Sequence, residues 1–324
     1  MQSTYSAITV ILPVYNGGDY LISSVESVLN QSFTNFEFLI LDDCSTDDSW
    51  LYLKSIKNKN VTLYRNEKNK GLFYNLNFLI KESKSLLIKL WAQDDIMYPQ
   101  CLESFVHFFE QYPQVGFAYC GTHNIDEGGN IKQHDYTDTT PQIISTELHA
   151  RIAFFTGSVA GNIANVCMNR VALDKVGLFN EQMKISADFD MWVRLAREHD
   201  TGFIGETLVQ LRDHTGQLSR NESLYIDHVK EDLQVYLYLN NYVSKALRAE
   251  GKIIMRHHKF VFYYTLMVKS LLKADIKTTA AYARQLFATD NFFLLTVAFV
   301  KAKISKRPKP VFPIQLVHLK TESE

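Results

Sequence analysis

Two adjacent carboxylates, Asp94 and Asp95, end an apolar run in the stretch LWAQDD. The run, Leu86 to Trp91, reads as a buried strand interrupted by Lys89. Neighbouring acids at a strand end repel each other and need a partner, either a metal ion carrying a phosphate or a helix N-terminus. A second pair, Asp42–Asp43, ends FEFLILDD. Either carboxylate could accept a hydrogen bond from a base N–H, and Tyr15 could stack on that base. A third acid, Asp188, opens the stretch ADFDMWVRLA and suits a general base for a hydroxyl nucleophile. Each has a plainer reading. Asp-Asp pairs form turns, Asp42–Asp43 with Ser45 and Thr46 can cap a loop, Asp188 can be an N-cap, and Tyr15 can simply pack.

The chain carries no GxGxxG after its first apolar run and no GxxxxGK[ST]. An ordinary dinucleotide fold and a P-loop NTPase site are thereby excluded. A diphosphate held here needs charge compensation from a divalent cation on acidic ligands. Asp94 and Asp95, with Mg2+ or Mn2+, answer that need.

These residues require elements to position them. Ile8–Val14 is expected as a fully buried strand, followed by the glycine-bearing turn YNGGDY and a helix over Leu21–Asn30. Phe36–Asp43 is the second strand, and Ser45 or Thr46 is expected to cap the helix in STDDSWLYLKSI. Val61–Asn66 is a short strand, and a helix carrying Leu72, Leu76, Leu79 and Ile80 follows NKG. Pro99 is expected to open the helix CLESFVHFFEQY, ahead of a strand over Val115–Cys120. Gly121–Pro141 reads as loop or hairpin, Arg170–Val176 as a short helix, and Gly202–Arg212 as two short strands. Ala187–His199 is an amphipathic helix, with Asp190 and Arg194 paired on its surface and Phe189, Val193 and Ala196 turned to the sheet. From Ser223 onward the pattern is helical and rich in Tyr, Phe and Leu.

Strands alternating with helices imply an α/β fold, a mostly parallel sheet flanked by helices, with a C-terminal helical appendage. In such sheets ligands sit at the C-terminal strand ends. Pro13–Gly18, Asp42–Asp43 and Asp94–Asp95 all fall there. The expected division is a catalytic domain over 1–215, with a nucleotide-binding half at 1–115 and an acceptor and catalytic half at 116–215. Residues 216–324 form the helical C-terminal region.

With 34 basic and 35 acidic residues the formal net charge is -1, so no global field attracts nucleic acid. Hydrophobic residues make up 46% of the chain, enough for a large core. The four cysteines, at 44, 101, 120 and 167, form no CxxC or Cys/His cluster, which argues against structural zinc. The opening MQSTYSAITVILPV lacks a positive n-region and is expected not to be a secretory leader. No uninterrupted run of 18 apolar residues is present.

In their order, ILPVYNGGDYLISSVESVLNQSF, EFLILDDCSTDDS, RNEKNKGLFYNLN, LWAQDD, NRVALDKVGLFNE and ADFDMWVRLA resemble the family 2 inverting glycosyltransferases of the GT-A fold, of the bacterial surface-polysaccharide type. The likeness covers about residues 7–215. It implies that Pro13, Tyr15 and Asp43 surround the base, with Asp42 near it and the Asn69–Gly71 turn close to the nucleotide. The family's D-x-D metal motif reads here Ala92-Gln93-Asp94, so its first acid is missing and Asp94 matches the direct ligand of Mn2+ or Mg2+. The family's Glu-Asp pair reads Ala187-Asp188, and Asp188 matches the catalytic base. His214 resembles a late loop residue near the diphosphate, a further metal ligand or phosphate contact. Its plainer reading is a surface histidine, and Arg212 and Arg220 divide in the same way between surface charge and phosphate contact. Trp192 is either core or a wall of the acceptor pocket.

The expected partners are a nucleotide-sugar donor, UDP favoured and dTDP next, and a saccharide or lipid-linked acceptor; self-association stays open. The segment NFFLLTVAFVKAKISKRPKP sets an apolar run beside Lys301, Lys303, Lys306, Arg307 and Lys309. It suits either a helix resting on an anionic membrane or one packed against its neighbours. The expected location is cytoplasmic, with peripheral contact on the inner face of the cell membrane. Two other functions compete: nucleotidyl transfer or hydrolysis, disfavoured by the missing Lys-bearing glycine loop, and a non-catalytic nucleotide-sugar binder that lost its first metal acid at Ala92.

Overall fold

In the computed structural model, which describes residues 6–132 and 140–304, the expected alternation of strands and helices is present. β1 (Ile8–Val14), α1 (Tyr20–Leu29), β2 (Phe36–Asp42), α2 (Ser49–Ser55), β3 (Val61–Arg65) and α3 (Leu72–Glu82) form the first half of the sheet unit. β4 (Leu87–Leu90), β5 (Ile96–Met97), α4 (Cys101–Gln111), β6 (Phe117–Ile125), β7 (Ile143–Ile144) and α5 (Thr146–Thr156) follow. β8 (Val166–Asn169), α6 (Arg170–Val176), α7 (Ala187–Glu198) and β9 (Thr201–Arg212) complete the unit. The C-terminal helices are α8 (Tyr225–Tyr242), α9 (Lys245–His257), α10 (Lys259–Leu272), α11 (Ile276–Thr289) and α12 (Phe292–Ile304).

The sheet order is β3-β2-β1-β4-β8-β6-β9-β5, with β7 also on β9. Strands β1, β2, β3, β4, β6 and β9 run one way, and β5, β7 and β8 run against them. The apolar runs of β1 and β2 are buried because helices cover both faces. Ile11, Leu39 and Leu41 face one core with α3, while Val10, Leu12, Phe38 and Ile40 face the other with α1 and α4. The first core continues through Phe154, Phe189 and Trp192 into Tyr236, Leu239, Phe260 and Tyr263. The C-terminal helices therefore share a core with the sheet.

Some expectations are corrected. Ser45 and Thr46 do not cap α2; its N-cap position is Asp48, and no side chain caps there. α4 begins at Cys101, after a turn that contains Pro99. Gly202–Arg212 lies in one strand rather than two, because its pairing with β6 absorbs a bulge at Cys120–Thr122. α5 had no counterpart in the sequence reading. Lys89 does not interrupt its strand: it is fully buried, and its ammonium donates to the carbonyls of Leu90 and Ala164. Of the Gly121–Pro141 segment, residues 133–139 lie outside the described residues. The part before them is the end of β6 and a turn over Asp126–Asn130.

Candidate active site

β1 ends at the sheet edge in Pro13-Val14-Tyr15, where the chain turns through Asn16 and Gly18, both at positive φ. Ser45 Oγ accepts the Asn16 amide at 3.0 Å, Ser49 Oγ the Gly17 amide at 2.9 Å, and Asp47 the Gly18 amide at 3.1 Å. Ser45, expected to cap α2, thus joins Asp47 and Ser49 in stitching the loops after β1 and β2 together. A Cβ on Gly17 would stand 3.0 Å from the Leu21 Cβ, a tight contact to which α1 would have to yield.

Asp42 and Asp43 differ sharply. Asp43 accepts Asn66 Nδ2 at 2.7 Å, the Lys70 amide at 2.8 Å and the Gly71 amide at 2.9 Å, so it holds the Asn69–Gly71 turn. A carboxylate offers about four acceptor sites; one remains on Asp43. Asp42 does not line the cleft. It is fully buried, paired with Arg65 Nε at 3.1 Å and accepting the Ser45 amide at 3.2 Å. Asp42 is therefore an anchor of the loop after β2 and not a contact of the cleft.

At the end of β4 the two adjacent acids part. Trp91 Nε1 donates to Ser24 Oγ, and that hydroxyl donates to the Ala92 carbonyl, which fixes the bend. Gln93 clips Tyr15 by accepting its amide at 2.9 Å and donating to its carbonyl at 3.1 Å. Asp94 faces the cleft, with its Oδ2 2.8 Å from His214 Nε2. Asp95 also borders the cleft, but it is 2% exposed and accepts the Arg212 amide at 2.8 Å. Burial, then the charge of Asp94, pushes the Asp95 carboxyl up to about 8. Arg212 is no surface charge: it is buried, and its guanidinium donates to the carbonyls of Asp94, Asp126 and Glu127. Arg220 does border the cleft, exposed and paired with Asp213.

Asp188 lies in the first turn of α7. Its Oδ1 accepts the Phe189 amide at 2.7 Å and its Oδ2 the Ser158 hydroxyl at 3.3 Å. It is not the N-cap, which is Ser186. Burial raises its carboxyl to about 6, against the opposing Phe189 amide. Trp192 is fully buried and stacked on Phe117, so it is core and no wall of the cleft.

One cleft of about 910 Å3 is lined by Pro13, Tyr15, Asp43, Asn69, Gly71, Asp94, Asp188 and His214. Of the candidate residues read from the sequence, Asp42, Arg212 and Trp192 do not border it. The residues missed are Gln93, Ser158 and Asn162, which hold or line the cleft. Only Gln93, inside LWAQDD, left a signal in the sequence. Among the described residues no group of three or more His, Cys, Asp or Glu side chains gathers to hold a metal ion. Asp94 and His214 still fit one. Their side chains meet in a 2.8 Å hydrogen bond on the cleft wall, and a hard ion that takes one or two carboxylates plus phosphate oxygens and water would be held by them there.

Comparison with known proteins places the chain among glycosyltransferases. Residues 9–174 match the family described as glycosyl transferase family 2. An uncharacterized glycosyltransferase of Rickettsia prowazekii is 26% identical over 314 residues, covering 86% of this chain and 95% of that protein. The UDP-Glc:alpha-D-GlcNAc-diphosphoundecaprenol beta-1,3-glucosyltransferase WfaP of Escherichia coli is 24% identical over 272 residues, covering 82% of this chain and 94% of that protein. Among solved structures, TarS 1-349 of S. aureus in complex with UDP-GlcNAc superposes with a TM-score of 0.68 at 16% identity, over 91% of this chain and 88% of that one. The mannosyltransferase PcManGT of Pyrobaculum calidifontis, in complex with GDP-Man and Mn2+, gives 0.54 at 15% identity, over 94% and 89%. These structures share the fold, a GT-A-like core with a C-terminal helical region. The chain belongs to glycosyl transferase family 2 and is a nucleotide-sugar glycosyltransferase.

Proposed function

We propose that the chain transfers a sugar, with inversion, from a nucleoside diphosphate donor to a hydroxyl of a saccharide or lipid-linked saccharide in surface-polysaccharide synthesis. UDP is the favoured donor nucleotide and dTDP the next. The observation that carries this reading is that Asp94 and Asp188 border one cleft with Pro13, Tyr15 and Asp43. In this reading Tyr15 and Pro13 flank the base, and the remaining acceptor site of Asp43 takes a base N–H. Asp94 and His214 hold Mn2+ or Mg2+, which when bound offsets the charge of the departing diphosphate. Asp188 takes the proton of the acceptor hydroxyl. That oxygen bonds to the anomeric carbon while the bond to the diphosphate oxygen breaks, and the nucleoside diphosphate leaves with the electron pair. Attack from the face opposite the leaving group inverts the centre. A base raised to about 6 is ionised at neutral pH yet remains a better proton acceptor than a free carboxylate.

The relatives lend support. The name of WfaP specifies a UDP-sugar donor and a diphosphoundecaprenol-linked acceptor, TarS was solved with UDP-GlcNAc, and PcManGT with Mn2+. Calorimetry of UDP and dTDP, each with and without Mn2+, tests the reading. Tight binding of one that is lost without the ion is the expected result. No binding of either would point to a GDP donor or to the second reading, a non-catalytic, degenerate nucleotide-sugar binder, for which Ala92 in place of the motif's first acid is the specific observation.

Contact with an anionic membrane belongs to the same proposal. α12 opens with the apolar run Phe292–Leu295 and ends with Lys301 and Lys303; it buries Leu295 and Ala298 and leaves Phe292, Phe293, Val300 and Ile304 exposed. Acyl burial and phosphate attraction would act together on such a surface. Lys306, Arg307 and Lys309 lie outside the described residues. No described helix is long and apolar enough to cross a membrane. The 1–215 and 216–324 division is kept as a proposal about roles, donor chemistry in the first and acceptor or membrane contact in the second.

A further inference from the structure

The C-terminal helices reach toward the cleft through two adjacent acids of α8, Glu231 and Asp232. Both are buried, with 7% and 2% of their surface exposed. A carboxylate taken out of water is costly unless donors meet it, and here the donors come from the segment leading into α7. Glu231 Oε1 accepts the Lys184 amide at 2.8 Å, and its Oε2 accepts the amides of Ile185 at 3.0 Å and Ser186 at 2.9 Å. Asp232 Oδ1 accepts the Ser186 hydroxyl at 2.8 Å. Its Oδ2 accepts the Tyr263 hydroxyl, with Lys259 Nζ at 3.4 Å, and His228 Nε2 stands 3.4 Å from Oδ1.

Ser186 is the N-cap residue of α7, yet its side chain makes no capping bond to that helix. Its hydroxyl is turned outward to Asp232 instead. The start of the helix is therefore held from the neighbouring helix. Asp188 is two residues further on, and Ile185, within the held turn, borders the cleft itself.

We infer that Glu231 and Asp232 are positioning residues for sugar transfer: they fix the Lys184–Ser186 turn, and through it the direction from which Asp188 enters the cleft. The inference rests on the reading of Asp188 as the base. It gives the C-terminal region a part in the chemistry without any contact to substrate. It also accounts for two neighbouring buried acids at a point where apolar residues would pack at lower cost.

Three variants test it, each measured for kcat, acceptor KM, UDP affinity and thermal melting. Glu231→Ala removes the acceptor for three amides, and kcat is expected to fall on the order of 10²-fold, the penalty of a small misplacement of a reacting group. UDP affinity should hold, because the donor side of the cleft is built by other elements. Glu231→Gln keeps the shape and one acceptor oxygen, and should recover part of the loss. Asp232→Asn keeps shape but removes a negative charge near Asp188. The groups facing these two acids are Ser158, Ser186, His228, Tyr236, Lys259 and Tyr263, and none of them changes in that variant. The acidic limb of its pH–rate profile should therefore move to lower pH, a shift that loss of packing alone would not produce.

Full kcat in Glu231→Gln together with an unmoved limb in Asp232→Asn would overturn the positioning role, even if Glu231→Ala does not fold. Full turnover of Asp188→Asn would instead overturn the base reading. An inactive Asp188→Asn beside fully active Glu231 variants would remove the positioning role alone.

Discussion

His214 Nε2 lies 2.8 Å from Asp94 Oδ2, across 120 positions of sequence. The contact joins the loop after the last long strand to the bend after β4. It is braced by Tyr20, whose ring lies 5.0 Å from the His214 ring and 4.6 Å from the Arg212 guanidinium. Asp94→Asn is expected to lower turnover at saturating donor on the order of 10²-fold, the usual scale for losing charge stabilisation of a leaving group. His214→Ala should cost about tenfold and weaken Mn2+-dependent UDP binding, since one of two protein ligands remains. Near-normal turnover of Asp94→Asn would sink the metal role.

The neighbouring acid behaves differently. Asp95 is buried, burial and the charge of Asp94 raise its carboxyl, and it accepts the Arg212 amide. Burial disfavours its charged form, and asparagine reproduces both its shape and its accepting oxygen. Asp95→Asn should leave turnover within about threefold, a difference of less than ~1 kcal/mol. Parallel kinetics of the two Asn variants decide which acid does the chemistry.

Activity and stability should depend on pH in opposite senses through Asp188. Because its carboxyl is raised to about 6, transfer should rise with pH through that value, as the base ionises. For stability the sign reverses. The folded state favours the protonated acid, so that contribution is fully present below the unfolded value of about 4 and is lost as pH rises through about 6. Asp188→Asn should therefore melt higher than the parent at about pH 8 and match it at about pH 4. Equal melting at both values would remove the burial explanation.

Asp43 ties the donor side of the cleft together. Asp43→Ala frees Asn66 and the amides of Lys70 and Gly71, and should lower stability by about 1–3 kcal/mol. UDP affinity should fall with it, because the Asn69–Gly71 turn borders the cleft. Denaturant melts and calorimetry on one preparation measure both.

Flotation with vesicles tests the membrane surface. Binding to vesicles rich in anionic lipid, weakened by salt and by Phe293→Ser, is the expected pattern. Phe293 is 70% exposed, so the substitution should leave melting unchanged. Equal retention on neutral vesicles would remove the electrostatic part.

Much of the sheet was legible because local patterns carry it. The apolar runs Ile8–Val14 and Phe36–Asp42 are strands for the reason their composition implies, burial on both faces. Pro13, Tyr15, Asp43 and Asp94 fall at strand ends, and that position alone directed attention to one edge of the sheet. Element ends were harder. Ser45 looks like a helix cap in sequence, yet its hydroxyl serves the Asn16 amide of another loop.

By itself the sequence determined the alternation of strands and helices, the absence of a phosphate loop, and the acids available for chemistry. Each of these depends on residue type or on neighbours within a few positions. Tertiary structure decided how each of the adjacent acids is engaged. Both border the cleft, and the Arg212 amide, brought in by β9, occupies Asp95 while Asp94 stands beside His214. It likewise separated Asp42 from Asp43, made Arg212 a buried brace, and set Glu231 and Asp232 against the start of α7. Such pairings lie far apart along the chain, and no local pattern encodes them. They follow from how β9 and α8 pack against the earlier elements.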